Sequence, residues 1–210
     1  MPILRSSLLD TAGFRHAFPS RDVSDGELLA ALGAARVVQV KQVHGARAVL
    51  ATEAAGQEAD ALVGRADEPV EVVVGVRVAD CVPILVANVS TGDVAAIHAG
   101  WRGVVAGVVR AGVDLLGPGE RVAAIGPCIG PCCFEVGRHV GEQLGYVVRE
   151  QGDKVYVDLR AAVRAQLAAL GVARVEDVPG CTKHEPRFHS FRRDGANSGR
   201  MLAAIAARSS

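Results

Sequence analysis

The run Val82-Pro83-Ile84-Leu85-Val86-Ala87-Asn88-Val89, then Asp93-Val94-Ala95-Ala96-Ile97-His98, then Ala99-Gly100-Trp101-Arg102-Gly103, decides the fold class. The first two segments are apolar, rich in Val and Ile, and too short for core helices, so they read as strands. The second strand runs into Gly100 and Gly103, and a helical pattern extends from Gly103 to Leu116. A strand that feeds a helix through glycines indicates layered sheet-and-helix architecture.

Working outward, Val37–Val43, Glu71–Val78, Arg121–Ile125 and Lys154–Val157 also read as strands. Gly26–Leu32, Arg138–Val148, Asp158–Leu170 and Ser198–Ala207 read as helices. Asp158 is an expected N-cap, and Gly171 sits where a glycine should stop that helix. No internal repeat or low-complexity linker divides the chain, so its 210 residues are expected to form one domain, 1–210.

Half of the residues are hydrophobic but only 4% are aromatic, so the core must be built from Ala, Val, Leu and Ile. Lys plus Arg and Asp plus Glu are equal at 23 each, which leaves no global field to attract nucleic acid or an anionic membrane. No apolar run reaches the roughly 18 to 20 residues of a membrane span. Met1 to Phe18 carries Arg5, Asp10, Arg15 and His16, unlike a signal peptide. A cytoplasmic protein is the expectation. Five cysteines are an odd number, which argues for thiols or metal ligands over a complete disulfide framework.

Reactive residues gather where strands end. His44 in Lys41-Gln42-Val43-His44-Gly45, Cys81 in Ala79-Asp80-Cys81, and His98 before Ala99-Gly100-Trp101-Arg102-Gly103 offer two imidazoles and a thiol. These are preferred zinc ligands, and three of them leave a fourth position open, as catalytic zinc sites do. The alternative from the residues alone is a buried thiol with two hydrogen-bonded core histidines. Arg102, near an expected helix N-terminus, suits an anion, and a solvated charge is its other reading. Trp101 could stack on a base or belong to the core. Asp80 would support a ligand or brace a turn, and Glu135 is a possible general acid or base or a solvated side chain. Arg187 to Arg200, with Arg192 and Arg193, suits a loop over an anionic substrate or a solvated charge run. Cys128, Cys132, Cys133 and Cys181 could make a four-cysteine zinc site, although their spacing is not that of a zinc knuckle. The reading adopted is that their loop packs over the pocket. His16, His139 and His184 read as surface or packing histidines.

The ordered motifs K-Q-V-H-G, A-D-C-x-P-I-L, H-A-G-W-R-G, G-P-C-I-G-x-C-C-F-E-V-G, D-L-R, C-T and S-F-R-R-D-G-x-x-S-G-R-M resemble the YfiH-type purine nucleoside phosphorylases, also called laccase-domain or polyphenol oxidase proteins. The match covers roughly Val37 to Met201. The resemblance implies an α+β domain of mixed β-sheets flanked by helices, related to cysteine-dependent toxin deamidases. It implies zinc held by His44, Cys81 and His98, the same residues serving catalysis. It also implies phosphorolysis of adenosine, inosine, guanosine and methylthioadenosine, and deamination of adenosine. The partners are then a purine nucleoside and phosphate, with neither nucleic acid nor membrane. Arg102, Arg192 and Arg193 are the expected substrate-binding cations. His184 and His189 depart from the pattern, in which relatives carry Cys and an aromatic residue, and both bear on substrate preference.

Three rival activities use the same residues. A metal-free cysteine hydrolase would use Cys81 as nucleophile with His98 or His44 as base. A copper-dependent polyphenol oxidase would need more histidine than this chain's six provide. A hydrolase editing peptidoglycan precursors would need a long open groove around the same zinc.

Overall fold

The computed structural model describes residues 3–68 and 72–208. The chain is α+β, with three sheets and seven α-helices among the described residues. The central sheet has six strands in the order Arg174–Asp177, Arg121–Ile125, Val82–Asn88, Val94–Ala99, Ala61–Gly64 and Ala48–Leu50. The two outermost pairs are parallel, and the rest are antiparallel, so this sheet is mixed. A second sheet is antiparallel throughout, in the order Ile3–Leu4, His16–Pro19, Met201–Ala206 and Val73–Val78. A small antiparallel sheet joins Val147–Gln151, Lys154–Val157 and Glu135–Gly137.

Strand side chains alternate between faces, so each central strand feeds two cores. Ile84, Val86, Ala95, Ile97, Ala123 and Ile125 pack with the helices Val108–Leu116 and Leu159–Ala169. Leu85, Ala87, Val94, Ala96, Val122 and Ala124 pack with Val74, Val76, Ala203 and Ile205 of the second sheet. The outer face of that sheet, with Ala17, Val73, Leu202 and Ala204, packs with Leu28 and Leu32 of the helix Asp25–Leu32. The order is therefore helix, sheet, sheet, helices. Each buried Val, Leu or Ile adds roughly 1.5–3 kcal/mol of apolar burial, so many small aliphatics replace the scarce aromatics.

Several expectations hold. Asp158 caps Leu159–Ala169, accepting from the Ala161 N–H at 3.0 Å, and Gly171 follows with φ 77°. The helix Asp25–Leu32 begins at a capping box formed by Ser24 and Glu27. Others are corrected. Ser198–Ala207, read as a helix, contains the strand Met201–Ala206. Its Ala-rich composition favours helix locally, but all six strand residues are buried between neighbours on both sides, and pairing decides. The expected helix from Gly103 to Leu116 is two helices, Trp101–Ala106 and Val108–Leu116, because Gly107 adopts φ 93°. Arg138–Val148 is helical only to Leu144, and Val147 opens a strand. Val37–Val43 is not a regular strand and makes only single bridges at Val38 and Lys41. Glu71 lies outside the described residues, and the expected strand there runs Val73–Val78. The strands His16–Pro19, Ala48–Leu50, Ala61–Gly64 and Arg174–Asp177 were not legible. Among the described residues, no helix is long and apolar enough to cross a membrane.

Candidate metal centre and its cavity

His98 is the penultimate residue of the strand Val94–Ala99, paired opposite Pro83, and Cys81 stands just before Val82–Asn88. The antiparallel register thus places both at one end of the central sheet. His44 comes from the irregular segment beside them, with a left-handed backbone at φ 61°. Asp80 is also left-handed, at φ 86°. Such conformations need support from their surroundings, and in both cases a buried carboxylate supplies it.

For His44 that carboxylate belongs to Asp60, which is fully buried ahead of the strand Ala61–Gly64. Asp60 Oδ1 accepts from the His44 N–H at 2.9 Å, and Oδ2 accepts from Gly45 at 2.7 Å and Val43 at 3.3 Å. Asp60 Oδ1 also lies 2.8 Å from His98 Nδ1. A carboxylate only accepts, so Nδ1 carries a proton, and Nε2, whose proton a metal would displace, is the ring nitrogen turned toward Cys81. One side chain thereby shapes the His44 loop and sets the tautomer of His98.

The His44 and His98 rings meet edge to face, with centroids 4.8 Å apart. The ligand atoms of His44, Cys81 and His98 all lie within 4.8 Å of one another. A tetrahedral ion with bonds of about 2.0–2.3 Å separates its ligand atoms by roughly 3.3–3.8 Å, so small inward shifts close the triad on a metal. Gly100 completes the cradle. A Cβ there would stand 3.0 Å from His44 Cδ2 and 3.1 Å from Cys81 Sγ. The donor set and the space both fit a zinc-type ion.

Electrostatics favour the same arrangement. Burial pushes the Cys81 thiol up, but hydrogen bonds from His44 and His98 outweigh it and bring the pKa down to about 7. Burial opposes charge on His98, yet Asp60 and Cys81 raise it to about 9. Burial would also raise Asp60, but His98 and the Gly45 and His44 N–H groups hold it below the usual carboxylate range. The array thus sets two anions, Asp60 and Cys81, around a centre that prefers a cation.

The triad forms the floor of a cavity of about 520 Å³. Trp101, Phe134 and Phe191 give it aromatic walls, and Arg77, Arg192 and Arg200 bring cations to it. Asp80 also lines it, but both its oxygens are engaged. Oδ1 accepts from Thr182 Oγ1 and Oδ2 from the Arg192 N–H, each at 2.6 Å. Asp80 therefore anchors the Arg192 segment to the floor.

The structure separates the three expected substrate cations. Arg192 lines the cavity, with its guanidinium donating to the Glu135 carbonyl at 2.6 Å. Arg102 is exposed outside the cavity lining, with Cζ 4.6 Å above the Trp101 ring. Arg193 donates to the carbonyls of Thr182 at 2.9 Å and Phe188 at 2.8 Å and pairs with Asp194, so it braces a loop outside the lining. The Glu135 side chain also lies outside the lining and accepts from Tyr156 Oη at 3.0 Å. His16, expected as a surface or packing histidine, is fully buried. Of the four loop cysteines, Cys132, Cys133 and Cys181 come together, whereas Cys128 is buried beside Arg160, 3.5 Å from its guanidinium.

Asp60 and Arg77 escaped the sequence reading, whereas Arg200 ends the Arg187 to Arg200 run that it singled out. Asp60 precedes the short apolar run Ala61-Leu62-Val63. Recognising that run as a strand would have placed an acid at a strand end, the same signal that marked Cys81.

Residues 24–208 match the family model described as multi-copper polyphenol oxidoreductase laccase. A protein named adenosine deaminase RL5, from an unknown prokaryotic organism, is 42% identical over 73% of this chain and 64% of its own length. The purine nucleoside phosphorylase of Deinococcus radiodurans is 38% identical over 85% of this chain and 74% of its own length. The chain thus spans about two thirds to three quarters of these relatives. Among solved structures, Neisseria meningitidis NMB0706 superposes with a TM-score of 0.87 at 27% identity, covering 99% of this chain and 100% of its own. YlmD from Geobacillus stearothermophilus gives 0.86 at 28%, covering 99% and 97%. Escherichia coli YfiH, named a purine nucleoside phosphorylase, is 37% identical over 80% of this chain and 72% of its own length. With the histidine–cysteine centre, the shared fold and a match over most of its length, the chain belongs to the YfiH family of laccase-domain proteins.

Proposed function

We propose that this chain is a zinc-dependent purine nucleoside phosphorylase that also deaminates adenosine. The observation that carries the reading is a His–Cys–His triad, backed by Asp60, on the floor of a cavity with aromatic walls and three arginines. Its volume falls within the range of small-molecule sites. The names of the relatives support the same substrates.

Trp101, Phe134 and Phe191 offer faces to a purine. Arg192 and Arg200 offer charge to phosphate, whereas the Arg77 guanidinium is paired with Asp25 and donates to Gln39 at 2.8 Å; only Arg192 has its backbone fixed to the floor by Asp80. In phosphorolysis a phosphate oxygen bonds to ribose C1′, the bond from C1′ to the purine nitrogen breaks, and the purine takes up a proton. In deamination water adds at purine C6 and ammonia leaves. Zinc held by His44, Cys81 and His98 would supply Lewis acidity to the reacting groups. The protein's own part is positional: Asp60 keeps His98 in the ligating tautomer, and the aromatic walls orient the base. A multicopper oxidase needs several donor sets, and among the described residues only one such cluster contains histidine. Zinc is the ion we assign.

Products from adenosine and inosine, with and without phosphate, test the reading by chromatography. Phosphate-dependent release of adenine or hypoxanthine, absent from His44→Ala protein, is expected. No product from either nucleoside sinks the purine assignment.

One observation favours a second reading. Asp60, His98 and Cys81 also form the acid–imidazole–thiol series of a cysteine nucleophile, with a thiol pKa of about 7. Activity that survives chelation and dialysis would establish that reading over zinc. Loss on chelation and recovery with Zn²⁺ would exclude it.

A further inference from the structure

A second cluster of sulfur lies outside this cavity. The Gly130–Phe134 turn brings Cys132 and Cys133 against Cys181, which stands on the loop that carries Thr182. Cys132 Sγ is 3.4 Å from Cys133 Sγ and 3.7 Å from Cys181 Sγ, and the three sulfurs all lie within 4.8 Å of one another. Bonds of about 2.3 Å at tetrahedral angles hold thiolates about 3.8 Å apart. The sulfurs already stand near that spacing. Cys132 is exposed and the other two are half-buried, so an ion could enter from solvent.

A further feature points to a ligand. The Gly130 N–H donates to Cys181 Sγ at 3.2 Å. Backbone donors aimed at sulfur accompany thiolate ligation and tune it. Cys128 does not take part.

We propose that Cys132, Cys133 and Cys181 form a second metal site, separate from the histidine site, which takes one thiophilic d10 cation, Zn²⁺ or Cu⁺. Soft thiolate sets select these ions. Binding displaces the protons carried by the thiols and changes no oxidation state. The site would join two loops that both reach the cavity wall. One carries Ile129 and Phe134, and the other carries Thr182, which holds Asp80. Occupancy would stiffen that wall.

The test uses the full chain, reduced, stripped of metal by chelation and reloaded with Zn²⁺ or with Cu⁺ delivered from a chromogenic chelator. Metal per chain is read by elemental analysis after desalting. Two ions are expected for the wild type with at least one of these metals. One is expected for His44→Ala and one for the Cys132→Ser/Cys181→Ser double variant. Cys128→Ser should keep both. Loading His44→Ala with Co²⁺ should give thiolate-to-cobalt charge-transfer absorption that Cys132→Ser loses. Cys132 is exposed, so that variant tests ligation without disturbing the core. A His44→Ala protein that binds neither ion while all five thiols titrate as free overturns the proposal. So does a Cys132–Cys181 disulfide that persists under the reducing conditions.

Discussion

Replacing Asp60 by Asn changes one buried atom at the point where the site is organised. The carboxylate accepts four hydrogen bonds, from His44 N–H and His98 Nδ1 on one oxygen and from Gly45 and Val43 N–H on the other. An amide offers one oxygen. If that oxygen stays beside His98, the NH₂ group faces the Gly45 and Val43 donors. If it flips, the NH₂ faces His44 and His98, and His98 escapes only by moving its proton to Nε2, which removes the lone pair needed for a metal. Two donors are stranded in the first arrangement, and in the second at least the His44 N–H is. At about 1–3 kcal/mol for each buried unsatisfied group, partly relieved by water, the variant should lose roughly 2–4 kcal/mol. Its zinc affinity should fall about 10–100-fold, the usual consequence of losing a carboxylate behind a ligating imidazole. Urea denaturation of metal-free protein gives the first quantity, and competition with a chromogenic chelator gives the second. A stability loss below about 0.5 kcal/mol together with affinity unchanged within about twofold would refute the role assigned to Asp60.

Further outcomes follow from other contacts. Gly100→Ala should weaken zinc binding without backbone strain, because Gly100 has φ −72° and the clash is with His44 and Cys81 alone. Its cost in stability should be about 1–3 kcal/mol, and metal competition beside thermal unfolding checks it. Arg192→Ala should raise KM for phosphate more than it lowers kcat, and equal KM values in both proteins would remove Arg192 from the phosphate site. His16 gives a pH signature, since its Nδ1–H donates to the Phe14 carbonyl at 2.9 Å and its Nε2 accepts from the Ser6 N–H at 2.7 Å. Burial holds its pKa below 6.5, so the unfolded chain takes up the proton first and stability falls as pH drops below 6.5. The slope from this residue should approach about 1.4 kcal/mol per pH unit and should vanish in His16→Gln. Identical pH profiles for the two proteins in denaturant titrations would refute it.

The gathering of His44, Cys81 and His98 as candidate ligands was legible because thiol and imidazole chemistry is rare and each of the three sits at the end or edge of a recognisable segment. The strands Val82–Asn88 and Val94–Ala99 were legible because unbroken apolar runs of that length have few other uses. The cap at Asp158 and the stop at Gly171 were readable for a local reason, since a helix end is satisfied within a few residues of itself.

What the sequence determined by itself is therefore local: which residues can ligate, where long apolar runs lie, and where helices stop. Only the tertiary structure decided that Met201–Ala206 is a strand, since its pairing with Val73–Val78 outweighs an alanine-rich helical preference. Only the tertiary structure distinguished Arg192, in the cavity wall, from Arg193, one residue away and committed to loop carbonyls. Only it brought Asp60 to His98, 38 positions along the chain. These outcomes depend on contacts between distant segments. A hydrogen bond or a strand pair is set by distance in space, and residue type and spacing carry little record of that distance.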